Sequence, residues 1–244
     1  MAKIDKSLYT KSEWIALKED RRKQKALVRQ KNIIKEELVD SPKPITLLSN
    51  KVSFVIGNGT SRKTINLETL KGLGKIYACN AVYRDFSPHY LIAVDQKMIL
   101  EINKSGYQNK NEVWTNPNRM FEKMEGFNFF HPSKGWSSGP TALWLAAKHN
   151  NKRIFILGFD YKGLDAGKKF NNIYADSPNY KKSSDNATFF GNWMRQTRTV
   201  IFENPNIEFI RIIEKNTYCP EELEKLDNYY TLEKDKFFEY FRIM

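Results

Sequence analysis

An α/β fold is what this sequence predicts: a mostly parallel sheet of about seven strands with flanking helices, preceded by a helical arm. Three observations point to it. After Pro42 and Pro44, short apolar runs alternate with longer helical patterns, which is how βαβ units read in sequence. The 244 residues are 41% hydrophobic and 14% aromatic, enough to fill one large core and to set disorder aside. The polar residues with chemical potential fall at the ends of the apolar runs, where the loops of such a sheet gather.

The elements follow in order. Residues 1–44 form a basic arm, with a capping box at Thr10-Lys11-Ser12-Glu13 and a long stretch free of glycine and proline. In its middle Lys18, Arg21, Arg22, Lys23 and Lys25 outweigh Glu19 and Asp20. The arm reads either as a solvated helix docked at both ends or as a grip for a polyanion or protein partner. Strands are predicted at Val52–Ile56, Lys75–Asn80, Tyr90–Val94, Glu112–Thr115, Phe127–Phe130, Arg153–Leu157 and Ile207–Ile212, making a Rossmann-like domain over 45–216. Helices are predicted at Leu67–Leu70, Lys97–Lys104, Arg119–Met124, Pro140–His149 and Thr188–Glu203. A C-terminal pair of helices is expected over 217–244. Between Tyr161 and Asp185 the pattern fails, and this polar stretch reads either as a lid or as a surface insertion.

A formal charge of +12 favours an anionic partner such as nucleic acid, a nucleotide or an acidic surface. Cys79 and Cys219 are far apart in sequence, which suggests neither a zinc site nor a disulfide framework and suits a reducing, cytoplasmic setting. No apolar stretch approaches the roughly 20 residues needed to span a bilayer, so no membrane span is expected.

Ligands of open parallel sheets bind beyond the carboxyl ends of the strands. Those ends carry Gly57-Asn58-Gly59-Thr60-Ser61-Arg62, Asn80, Asp95, Asn116, His131 with Lys134, and Asp160-Tyr161, while Trp136-Ser137-Ser138-Gly139 precedes the helix at Pro140. Gly57 and Gly59 allow a close approach to a phosphate or ribose, and Asn58 offers donor and acceptor; a tight strand-to-helix turn is the plain alternative. The third glycine of the dinucleotide fingerprint is missing and no acidic residue ends the second strand, which disfavours NAD. Ser137-Ser138-Gly139-Pro140 reads as a serine-capped helix start whose amides also suit an anion or the edge of a base. Asp160 and Asp95 hold equivalent positions on two strands, but no D-x-D pair or neighbouring histidine supports a metal, and none is expected.

Four segments, Phe54-Val55-Ile56-Gly57-Asn58-Gly59-Thr60-Ser61, Ala78-Cys79-Asn80, Ser137-Ser138-Gly139 and Ile156-Leu157-Gly158-Phe159-Asp160-Tyr161, occur in an order and spacing that resemble the bacterial family-42 sialyltransferases. The same segments are similar to related Rossmann-like proteins of pterin-kinase type. The resemblance covers about Val52 to Tyr161. It implies a metal-independent glycosyltransferase that needs no cofactor beyond its nucleotide-sugar donor, CMP-linked in that family. Asn58 and Asn80 would lie near sugar or phosphate, Ser137, Ser138 and Gly139 around the nucleoside, and Asp160 on the ribose, with Tyr161 aiding departure of the phosphate; Gly57, Gly59 and Ser61 are counted with them as binding residues. Thr60 stands where the family has proline, and no histidine follows His149, so the family's general base has no counterpart; Asp185 is the nearest substitute. Tyr83-Arg84-Asp85-Phe86, Lys134-Gly135-Trp136 and Ala187-Thr188-Phe189-Phe190-Gly191-Asn192-Trp193 resemble a group of proteins encoded by marine bacteriophages, which implies the cytoplasm of an infected host, or a virion.

Two functions are therefore carried forward. One is a glycosyltransferase-like enzyme that uses Asp185, Asp95 or His131 as base and Tyr161, Arg62 or Lys134 to stabilise the leaving phosphate. The other is a non-catalytic protein that acts in virion assembly, or binds nucleic acid or a host protein, through residues 1–44.

Overall fold

The computed structural model describes residues 52–149 and 151–242, together with Glu19 and Lys23. The chain divides into two units, Met1–Lys43 and Pro44–Met244, and the second holds the sheet. Of the arm, only Glu19 and Lys23 are described, both helical and exposed; the rest of that reading lies outside the described residues.

The domain is α/β, with one eight-stranded, all-parallel, Rossmann-like sheet. Its strands are β1 (Val52–Ile56), β2 (Lys75–Cys79), β3 (Tyr90–Ile92), β4 (Val113–Thr115), β5 (Phe127–Phe129), β6 (Arg153–Leu157), β7 (Glu208–Ile213) and β8 (Tyr229–Glu233), in the order β5-β4-β3-β2-β1-β6-β7-β8. The central strands β1 and β6 are buried on both faces, which is why they read as unbroken apolar runs. They pair in register, with Val52 beside Arg153 and Ile56 beside Leu157. After β5 the chain returns to the far side of β1, so the sheet reverses direction between β1 and β6. That reversal opens a crevice at their carboxyl ends.

Four helices matter to the site: α1 (Gln96–Ser105), α2 (Ser138–Lys148), α3 (Gly191–Glu203) and α4 (Lys234–Phe241). The first buries Met98, Ile99 and Ile102 and stops at Gly106, whose φ of 70° supplies a left-handed cap. Ala142 and Ala146 of α2 bring that helix close over Val55, Tyr77, Ile154 and Ile156, with Val200 and Ile201 of α3 beside it. The opposite face is aromatic: the Phe155 ring centroid lies 4.9 Å from Phe241 and 5.7 Å from Phe237 of α4. Each such pair adds about 0.5–1.5 kcal/mol beyond area burial.

Three expectations change. The segment after Pro220 is not helical throughout: between the turn Glu221–Glu224 and α4 lies β8, whose Tyr-Tyr-Thr-Leu run suits a strand and pairs parallel with β7. The predicted helix at Arg119–Met124 is a set of turns around Asn118 that ends before Gly126. Helix α2 starts at Ser138, not Pro140, so Pro140 is its third residue. Among the described residues, no helix is long and apolar enough to cross a membrane.

Candidate functional site

A cavity of about 140 Å³ lies over the carboxyl ends of β1, β2 and β6 and the start of α2. It gathers most of the residues singled out in the sequence: Gly57, Asn58 and Gly59 after β1; Asn80 after β2; Ser137, Ser138 and Gly139 at α2; and Asp160 and Tyr161 after β6. Asp95, the N-cap of α1, joins the polar lining. The walls between them are aromatic, from Phe159, Phe190 and Trp193.

The loops after β1 and β6 interlock. Gly57 donates to the Leu157 carbonyl at 2.7 Å, and Gly59 to the Gly158 carbonyl at 2.9 Å. A Cβ on Gly57 would stand 2.5 Å from the Gly158 oxygen, and one on Gly59 would stand 2.4 Å from the Asp160 carboxyl carbon. These glycines therefore serve close packing of two loops. The Asp160 carboxylate accepts from the Ser61 amide at 3.1 Å, from the Ser61 hydroxyl, and from the Asn171 amide at 3.1 Å. With three donors in place it acts first as a brace for the β1 loop. Ser61 is thus behind the cavity wall rather than in its lining.

Two buried arginines hold this seam from below. Arg62 donates through Nε to the Gly57 carbonyl and through a terminal nitrogen to Asn58 Oδ1 at 3.4 Å. Arg211 of β7 donates to the Asp160 carbonyl at 3.4 Å and the Tyr218 carbonyl at 3.0 Å, and its guanidinium lies 5.1 Å from the Tyr161 ring centroid. Arg62 is therefore committed to the loop, not presented to a leaving group. Tyr161 has a left-handed φ of 54°, which turns its ring toward the cavity and its hydroxyl toward Thr197 Oγ1 at 3.0 Å. Burial raises its pKa far above the ordinary tyrosine value. The hydroxyl is tied into α3, which argues against the leaving-group role.

On the opposite wall, Val94 donates its amide to Ser138 Oγ at 3.1 Å, and that hydroxyl donates to Asn80 Oδ1 at 2.8 Å. Starting α2 at Ser138 makes this possible, because it points that hydroxyl back at the ends of β2 and β3. Asn80, at φ 54°, stands beside the Asp95 carboxyl. Asp95 is open to solvent at the mouth, yet desolvation by the surrounding protein raises its pKa, with Asn80 working the other way. Cys79, also in the lining, is buried, which pushes its thiol up to about 12 and keeps it neutral.

Two proposed bases stand elsewhere. Asp185 is exposed and accepts from the Lys182 amide at 2.9 Å within its own turn. His131 is exposed beyond β5 and outside the cavity lining. Lys134 lies over the rings of Trp136 and Trp144, at 5.2 and 5.9 Å, also outside the lining. Among the described residues no cluster of three or more histidine, cysteine or acidic side chains is placed to hold a metal.

The stretch left open as lid or insertion forms part of the wall. Asn171 and Asn172 line the cavity, Ile173 donates to the Asn58 carbonyl at 2.9 Å, and the Tyr180 hydroxyl accepts from Asn58 Nδ2 at 3.3 Å. Its tip is clasped to α1. Arg84 makes a two-pronged pair with Glu101 at 2.7 and 2.6 Å and also binds Ser177 Oγ and the Pro178 carbonyl, both at 2.8 Å. Burial would raise Glu101, but hydrogen bonds from Arg84, Tyr83 and Asn179 outweigh it and hold the carboxyl at about 2. The Asn171-Asn172 pair carried no motif, and Phe190 and Trp193, though inside the Ala187–Trp193 segment, had no site role assigned. An asparagine pair in an overlong polar connection was the signal available.

No protein-family model, curated protein or solved structure matches this chain.

Proposed function

We propose that this protein binds a nucleotide sugar in the crevice between β1 and β6 and acts as a metal-independent, glycosyltransferase-like enzyme, with a CMP-linked donor as the first candidate. The observation that carries this reading is convergence. Four separated segments, ending in Asn58, Asn80, Ser137-Ser138-Gly139 and Asp160, line one cavity at the point where the sheet reverses. Aromatic walls with amide and carboxylate groups suit a ring that carries hydroxyls, such as ribose, a pyrimidine or a hexose.

The chemistry is displacement at the anomeric carbon. An acceptor hydroxyl attacks that carbon, its proton passes to a base, and the donor's C–O bond breaks with its electron pair leaving on the phosphate. Asp95 is the best-placed base, because its carboxyl is at the mouth, is less committed than Asp160, and has its pKa moved toward neutrality. A binding-only reading is favoured by one observation: Asp160 and the Tyr161 hydroxyl are both already spent on structure.

The test is binding, then turnover. Cytidine, uridine and guanosine nucleotides are screened by thermal shift, then hydrolysis or transfer from the matching donor sugars is followed. The expected outcome is stabilisation by one nucleotide and turnover that Asp95→Asn reduces about 10²–10⁴-fold with binding kept. Stabilisation without turnover supports the binding-only reading. No stabilisation by any nucleotide overturns both.

A further inference from the structure

Among the described residues, the lining of the cavity contains no lysine or arginine and includes two carboxylates, Asp95 and Asp160. That composition welcomes hydroxyls and ring nitrogens but opposes a phosphate. A second cleft, of about 470 Å³, lies on the other side of the same wall, and Asp160 and Asn171 line both. Here the cations are available. Lys162 and Lys215 line the cleft and are exposed, and Lys162 Nζ lies 5.4 Å from the ring centroid of Tyr218. Among the described residues neither lysine forms an ion pair.

Of the two described carboxylates facing this cleft, one is ion-paired and the other is held by neutral donors. Glu214 pairs with Lys234 at 2.6 Å, and the Asp160 carboxylate is taken by Ser61 and Asn171. Behind the cleft, buried Arg211 bonds the carbonyls of Asp160 and Tyr218, one on each side of it, and spends no charge on a carboxylate there. Among the described residues the lining itself balances Lys162 and Lys215 against Asp160 and Glu214, and the cations come to outnumber the carboxylates only with Lys234, which pairs with Glu214, and Arg211 behind; the hollow also offers an exposed aromatic ring and the hydroxyls of Thr60, Ser61 and Thr217.

We infer that this second cleft is a phosphate-binding subsite, held by Lys162 and Lys215, for the anionic part of the reaction whose nucleoside and sugar occupy the cavity. The assignment of the cavity rests on the function proposed above; the assignment of the cleft rests on its two exposed, unpaired lysines and the cations around it. The phosphate has two sources, the donor nucleotide itself or a phosphorylated acceptor.

The experiment is isothermal titration of the full chain, and of the Lys162→Met/Lys215→Met double variant, with cytidine, CMP and inorganic pyrophosphate at low and moderate salt. Both lysines are exposed, so the variant is expected to fold with an unchanged melting temperature. If the phosphate belongs to the donor, the native protein binds CMP more tightly than cytidine, and the double variant loses about tenfold in CMP affinity with cytidine unaffected. If it belongs to a second substrate, CMP and cytidine bind alike while pyrophosphate binds the native protein and is lost in the variant. Equal affinities of the two proteins for CMP and for pyrophosphate would overturn the subsite, as would a native protein that takes neither pyrophosphate nor CMP better than cytidine. Should no nucleoside bind, the function proposed for the cavity fails, and the pyrophosphate arm still decides the cleft.

Discussion

The wall of the cavity built by β1 and β6 spends its polar groups on the chain itself, whereas the wall built by β2, β3 and α2 leaves a carboxylate at the mouth. On the first, Asp160 has three donors and Gly57 and Gly59 leave no room for a methyl group. On the second, Ser138 is spent on Asn80 and the Val94 amide, and Asp95 stands beside them. Both walls look alike in sequence, each an apolar strand ending in small and polar residues. The difference teaches that a glycine-asparagine loop or a strand-end aspartate can be architecture, and that availability is decided by counting the donors already in place.

The contrast is broken most forcefully at Gly57. Replacing it with alanine sets a methyl group against the Gly158 carbonyl and the Phe159 ring, neither of which has slack, and the cost is expected to be about 3 kcal/mol. Urea denaturation would measure it, and a loss below about 1 kcal/mol would mean that the seam is not locked. The aspartates come next. Asp160→Asn turns an amide donor toward the Ser61 amide and hydroxyl and should cost about 2 kcal/mol. Asp95→Asn should not lower the melting temperature at neutral pH. A carboxyl whose pKa is raised in the folded state contributes stability below its ordinary pKa and loses it as pH rises through the folded value, and asparagine escapes that loss. Equal effects of the two substitutions would erase the distinction between the walls.

The smallest effect tests the clasp on the insertion. Glu101→Gln weakens the hold of Arg84 and should cost about 1 kcal/mol at neutral pH, with faster amide exchange at Ser177–Tyr180. Because the folded pKa of Glu101 is depressed, its contribution is complete above the ordinary glutamate value and fades as pH falls toward about 2. The difference between native protein and variant should shrink over that window. A pH-independent difference would mean that the side chain acts by packing rather than by charge.

Much of the fold is legible in the residues. Val52–Ile56 and Arg153–Leu157 are predicted to the residue, because a strand buried on both faces must be apolar throughout. Strand β8 is not legible in the same way: Tyr229–Glu233 sits in an acidic stretch, and its partner β7 is what makes it a strand. The convergence of Asn58, Asn80, Ser138 and Asp160 is legible too, since all end strands or begin a helix on one edge of the sheet. Asp185 is a candidate only by its position in the chain. Nothing local tells that its carboxylate would close its own turn, or that Asn171 would stand in the wall instead.

The sequence alone determined the α/β architecture and the rim where polar residues collect, because periodicity and strand ends are local properties. Tertiary structure decided which of those residues remain available. Asp160 and Asp95 occupy like positions on their strands, and only the approach of Ser61 and Asn171 to one, and of Asn80 to the other, made one a brace and the other a candidate base. Hydrogen-bond capacity is finite, and how it is spent depends on neighbours that lie up to 99 residues away in the chain.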